Sequence, residues 1–149
     1  IGKKGKNITE EKAQDYVFGY CIVNDVSERS WQKERGGQWI KGKSIAGPCG
    51  PYLVTKDEIK DINDINLTLD VNGQRRQTGN TERMIFNFNF LISHISQFMT
   101  LYPGTIITTG TPAGTAMEMS VPKFLIANDK LNLKVDYLGE QNQIVIDES

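Results

Sequence analysis

Two cysteines and a single histidine are all the thiol and imidazole groups in a chain of 149 residues. Cys21 and Cys49 are too few for a disulfide framework. Their apolar and Gly/Pro surroundings predict reduced, buried thiols of a cytoplasmic protein rather than a disulfide. His94 has no second histidine and no carboxylate at ligand spacing, so it reads as structural or solvent-facing rather than metal-binding. No apolar run approaches the roughly 18–20 residues of a membrane-spanning helix. Neither sign of charge dominates: 17 basic against 18 acidic residues leave a net charge of −1, which removes the electrostatic case for nucleic acid or an anionic membrane. Repeats, low-complexity tracts and the charged–apolar–small pattern of a signal peptide are all missing. The chain opens Ile1-Gly2-Lys3-Lys4-Gly5-Lys6, which reads as the tail of a strand whose beginning lies upstream.

What is present suits one folded domain. A mass of 16.7 kDa gives room for a core, and 38% hydrophobic with 23% charged residues excludes a disordered chain. Thr9 followed by Glu10 and Glu11 predicts a short helix over 7–15. Residues 16–24, aromatic and β-branched, read as a buried strand, and 51–55 as a short strand after the Gly-Pro-Cys-Gly-Pro cluster. Over 65–71, Leu67, Leu69 and Val71 alternate with Asn66, Thr68 and Asp70. Asn72-Gly73 then supplies a type I′ turn, and 74–78 return as the hairpin partner. Phe90, Leu91, Ile95, Phe98, Met99 and Tyr102 recur at helical spacing. They predict a helix over 89–101 that ends at Pro103-Gly104 and buries Leu91, Ile95 and Phe98. Residues 105–109 read as a strand, and 131–137 with 143–146 as a closing hairpin turning at Leu138-Gly139-Glu140. Short strands with hairpin signals and two short helices make the expected class α+β, with antiparallel or mixed sheet.

The chemistry concentrates between Asn24 and Ser44. Asp25 closes the apolar run of 16–24, and Gln32, Trp31, Trp39, Lys41 and Lys43 follow in segments expected to be loops. Polar side chains delivered from loops on a β scaffold are how sites are usually built. A carboxylate at a strand end with an amide and a lysine nearby suits a divalent cation and an anionic, oxygen-rich substrate. Asp25 could equally cap a turn, and Lys43 could be a solvated surface charge. Gly37-x4-Gly42-Lys43-Ser44 matches the P-loop pattern formally, but no strand precedes it and no helix follows, so the match is coincidental. The basic residues around Trp31 and Trp39 do not make a nucleic-acid patch in a chain of near-zero charge.

Further motifs are Asp15-Tyr16-Val17-Phe18-Gly19-Tyr20, Asn24-Asp25-Val26-Ser27-Glu28-Arg29, Gly42-Lys43-Ser44 and Gly50-Pro51-Tyr52-Leu53-Val54-Thr55. Val71-Asn72-Gly73, Met84-Ile85-Phe86, Ser96-Gln97-Phe98-Met99-Thr100-Leu101 and Thr109-Gly110-Thr111-Pro112-Ala113-Gly114 follow in the same order. Together they resemble the fumarylacetoacetate hydrolase family, specifically its C-terminal catalytic domain of the acylpyruvase and 2-hydroxyhepta-2,4-diene-1,7-dioate isomerase type. The resemblance implies a β-rich mixed-sheet roll over 1–149, usually homodimeric. It also implies Mg²⁺- or Mn²⁺-dependent cleavage of C–C bonds in acylpyruvates or related 2-oxo and 1,3-dicarbonyl acids. A 2-oxo-acid decarboxylase or isomerase of the same family, or a non-catalytic binding domain with the same fold, are the alternatives.

Matched by motif, Asp25 corresponds to the family's aspartate metal ligand, and Gln32 and Lys43 to its active-site glutamine and lysine. Thr111 corresponds to a residue that binds substrate through its hydroxyl or backbone N–H. The family's remaining metal ligands, a Glu-x-Glu pair, come from a strand before the equivalent of Ile1. Further carboxylate ligands are therefore expected upstream of Ile1, as are the acid–base groups of a lid. The 149 residues alone are expected to be inactive without them. Implied partners are a small 2-oxo or dicarbonyl acid and a second copy of the chain, with no nucleic acid and no membrane.

Overall fold

The computed structural model describes residues 1–36 and 47–147. Its strands are β1 (Gly19–Tyr20), β2 (Val54–Thr55), β3 (Asn66–Val71), β4 (Gln74–Asn80), β5 (Lys130–Val135) and β6 (Gly139–Ile144). Among the described residues there are also two α-helices, α1 (Arg29–Arg35) and α2 (Phe88–Phe98), and several 3₁₀ turns. The class is α+β, as expected. Among the described residues β1 and β2 pair with each other, while the other four strands form one sheet in the order β4-β3-β5-β6, every pairing antiparallel.

The β3–β4 hairpin follows directly from its sequence. Asn72 and Gly73 both have positive φ, 52° and 76°, the backbone a two-residue turn of this kind requires. The closing hairpin forms too, but its turn lies at Asp136-Tyr137-Leu138, two residues before the expected place. Leu138 is buried in the core, so β6 begins at Gly139.

The apolar residues divide into two groups. Ile22, Ile59, Ile65, Val71, Leu131, Leu133 and Leu138 fill the space behind the four-stranded sheet. Ile8, Ala13, Val17, Ile92 and Leu101 join the 3₁₀ turn Glu10–Tyr16 to α2.

Several elements differ from expectation. Of 16–24 only Gly19–Tyr20 forms a strand, with Val23 making a single bridge to Cys49. Residues 105–109 form no strand. The ladder partner found for this stretch is Ile1, whose amino group donates to the Thr105 carbonyl and whose own carbonyl accepts from Gly104 N–H. The segment after Asp25 is not all loop, because α1 forms there. The Glu28 carboxylate accepts from Ser30 N–H at its start, and Gly36 closes it at φ 90°.

The expected core face of α2 is also wrong at one position, since Phe98 is 74% exposed. Phe86, Phe90 and His94 stack in turn along the outer side and His94 meets Phe98 edge-on, with ring centroids 4.7, 5.7 and 5.1 Å apart along the row. The inner side carries Ile92 and the fully buried Ser96. A small residue is needed there because the N-terminal segment runs against the helix: Ile8 N–H donates to Ser96 Oγ at 2.8 Å and Asn7 N–H to the Ser96 carbonyl at 2.9 Å.

Candidate active site

Asp25 follows a short backbone pairing that fixes its position. Asn24 N–H donates to the Pro48 carbonyl at 2.9 Å, and Gly50 N–H donates to the Ile22 carbonyl at 3.0 Å. A buried amide from β6 holds the pair from behind. Gln141 Nε2 faces the carbonyls of Gly50, Ile22 and Pro48 at 2.6, 3.1 and 3.3 Å. Its Oε1 accepts from Gln143 Nε2 at 2.7 Å, and Gln143 Oε1 accepts from Asn24 Nδ2 at 2.6 Å. A chain of side-chain amides therefore runs from the sheet to the residue just before Asp25. Buried polar groups are retained where they are hydrogen-bonded, and a satisfied network of this kind rigidifies what it touches.

Two cavities border Asp25. The smaller, of about 770 Å³, runs between Phe18–Val23, Cys49–Leu53 and the segment Pro103–Gly110. The larger, of about 1550 Å³, opens toward α1, the sheet and the loop from Thr109 to Met117. Asp25 is exposed and lines both, as do Thr109 and Gly110.

Thr111 lies on the wall of the larger cavity. Gln77 of β4 anchors it, donating from Nε2 to Thr111 Oγ1 at 2.9 Å and to the Pro112 carbonyl at 2.7 Å. The loop then closes against the sheet at Gly114, whose φ is +106° and where a Cβ would collide with the Arg76 carbonyl oxygen. Glu118 seals the far end: its carboxylate accepts from Gly114 N–H at 2.6 Å and Thr115 N–H at 2.8 Å. Those backbone donors, Thr115 first, hold the Glu118 carboxyl below its ordinary value.

Asp25 and Thr111 thus line one cavity. Gln32 does not reach it. On α1 the side chains of Arg29, Ser30, Lys33 and Glu34 line the larger cavity, a spacing of one helical face, and Gln32 falls off that face. Its Oε1 accepts from Arg29 Nη1 at 2.8 Å. Lys43 lies outside the described residues. Gln77, Glu118, Gln141 and Gln143 were missed by the sequence reading. Thr115-x-x-Glu118 is a capping-box pattern, and Gln141 and Gln143 share one face of β6 by their spacing of two, so each pair carries a local signal.

Cys49, expected to be buried, is exposed on its Gly/Pro turn, and Cys21 is part-buried. Among the described residues no three His, Cys, Asp or Glu side chains converge as a metal site would require. Asp25 supplies one carboxylate. That is the donor type a hard divalent cation selects. None of the helices among the described residues is long and apolar enough to cross a membrane.

The pattern that a sequence model of the fumarylacetoacetate hydrolase C-terminal domain describes matches residues 1–146. The chain belongs to the fumarylacetoacetate hydrolase family. A Burkholderia cenocepacia protein, described only as an unconfirmed hydrolase, is 53% identical over 146 residues, which cover 96% of this chain and 52% of that protein. Fumarylacetoacetate hydrolase from the psychrophile Exiguobacterium antarcticum superimposes with a TM-score of 0.92 at 38% identity, covering 99% of this chain and 53% of that one. Maleylpyruvate hydrolase from Sphingobium, solved in complex with manganese(II) and pyruvate, gives a TM-score of 0.87 at 30% identity, over 100% of this chain and 52% of that one. The chain therefore spans about half the length of the relatives it matches.

Proposed function

We propose that this chain is the catalytic part of a divalent-metal-dependent hydrolase that cleaves C–C bonds of acylpyruvates or related 2-oxo and 1,3-dicarbonyl acids. The observation that carries the proposal is an exposed Asp25 carboxylate, next to an Asn24 that a chain of side-chain amides ties to β6, on a cavity whose wall also carries Thr111. A similar fold binding manganese(II) and pyruvate supports both the metal and the 2-oxo-acid class.

Asp25 would contribute one ligand to Mg²⁺ or Mn²⁺, with the other carboxylates supplied from outside the described residues. The bound cation would act as a Lewis acid toward the oxygen atoms of the 2-oxo acid. Thr111, anchored by Gln77, would hold the far end of the substrate through its hydroxyl. Lys43 would place a fixed positive charge against the substrate carboxylate or the charge that develops as the bond breaks. The working protein is proposed to be a cytoplasmic homodimer.

Calorimetry and steady-state kinetics on an acylpyruvate, with the longer parent protein that supplies the other carboxylates, test this. Asp25→Ala is expected to lose Mn²⁺ binding and turnover together while keeping the fold. Unchanged Mn²⁺ affinity in that variant would remove Asp25 from the metal site. Lys43→Met is expected to lower kcat about 100-fold, the range for loss of one preorganised electrostatic group. A raised KM with unchanged kcat would assign Lys43 to ground-state binding instead.

A further inference from the structure

The two cysteines lie 28 positions apart in sequence, yet their sulfurs are 3.3 Å apart. Two features bring them together. The backbones of Ile22–Asn24 and Pro48–Gly50 are already hydrogen-bonded to each other, and Gln141 pins both from behind. Closing the sulfurs from this separation to a bond of about 2.0 Å asks for side-chain rotation, not backbone rearrangement. Both sulfur-bearing residues also line the smaller cavity, beside Asp25.

From this geometry we infer that Cys21 and Cys49 form a peroxide-oxidisable dithiol, a reversible modification site that staples the backbone next to Asp25. The inference does not depend on the proposed hydrolase activity.

The chemistry divides between the two residues according to exposure. Cys49 is exposed and meets hydrogen peroxide first. Its thiolate attacks one peroxide oxygen, the O–O bond breaks, and a sulfenic acid forms as the departing hydroxide takes up the proton the thiol gave up and leaves as one water. The Cys21 sulfur then attacks the Cys49 sulfur. The S–S bond forms as the S–O bond breaks, and the departing hydroxide takes the Cys21 proton and leaves as a second water. Two thiols are oxidised by two electrons in all, and one hydrogen peroxide is reduced to two waters. Cys21 suits the second role. Desolvation, then the adjacent Cys49 sulfur, push its thiol up to about 11, so Cys21 stays protonated and is not the sulfur that peroxide oxidises first. An added dithiol reverses the bond by exchange.

The closed ring contains Asp25 and Gln32. Cross-linking across a span of this length restricts the unfolded chain and is expected to raise the melting temperature by about 5 °C or more.

The test uses the purified, reduced protein exposed to hydrogen peroxide, then denatured and treated with a thiol-alkylating agent. The expected product resists alkylation at both cysteines, has lost two hydrogens by intact mass, and yields a Cys21–Cys49 linked peptide. Dithiothreitol restores both thiols, and the linked form melts higher than the reduced form. Alkylation of both cysteines after peroxide, over-oxidation of Cys49 without linkage, or a linked form melting no higher than the reduced one overturns the inference. Metal affinity and turnover do not enter this readout, so its failure is separable from failure of the hydrolase proposal.

Discussion

Replacing Gln141 tests whether the amide chain behind Asp25 is a structural necessity. Its Nε2 carries two hydrogens and faces three carbonyls. The shortest contact, 2.6 Å to the Gly50 oxygen, takes one hydrogen, and the other is shared between Ile22 and Pro48 at 3.1 and 3.3 Å. Ile22 and Pro48 would survive the loss of Gln141, because their oxygens also accept from Gly50 N–H and Asn24 N–H. Among the described residues, the Gly50 oxygen has only the Gln141 amide.

Gln141→Leu, similar in volume, therefore removes the shared hydrogen bond and the one accepted from Gln143, about 1 kcal/mol each, and leaves one orphaned carbonyl at about 1–3 kcal/mol. A total loss of about 3–5 kcal/mol is expected. Gln141→Glu should cost more at neutral pH, since it sets a carboxylate against three carbonyl oxygens. Urea unfolding measures both. With a slope of about 1–3 kcal/mol per molar for a small protein, the Leu variant should move the midpoint down by about 1 M or more. A Leu variant within 0.5 kcal/mol of the parent, or a Glu variant as stable as the Leu one, would refute the assignment of Gln141 as the donor to these carbonyls.

Other substitutions probe the remaining elements. Ser96→Ala strands the buried Ile8 N–H and should cost about 1–3 kcal/mol by the same assay, although only one oxygen is removed. Phe98→Ala, at an exposed position, should change stability by about 0.5 kcal/mol or less, whereas a core phenylalanine would cost about 3–5 kcal/mol. Glu118 has its carboxyl held below the ordinary value of 4.5, so its stabilisation is present above that value and is lost as pH falls through the lowered one. The amide signals of Gly114 and Thr115 should titrate with a midpoint below pH 4.5, and Glu118→Gln should abolish that transition.

The features legible in the sequence are those decided by neighbours a few positions apart. Alternation over 66–71 and the Asn72-Gly73 pair specify the β3–β4 hairpin, because side-chain period and turn sterics are local. The spacing of apolar residues specifies that α2 exists, and the ordered motifs specify the family. Asp25 and Thr111 were visible as candidates because their motifs were.

Contacts between distant segments were decided only by the tertiary structure. Nothing near Phe98 shows that its side of the helix stays outside. That depends on Ile8 and Asn7 approaching Ser96 from across the chain, which demands a small residue with a hydroxyl acceptor on the inner face. Nothing near Gln141 shows that its amide reaches Ile22, 119 positions away, and so steadies the residue before Asp25. The two cysteines likewise read as separate buried thiols until the pairing of Val23 with Cys49 set their sulfurs side by side. Period and turn chemistry choose elements. Which face is buried, and which polar groups meet, follow from packing those elements against one another, where each buried N–H and C=O must find a partner regardless of its distance in sequence.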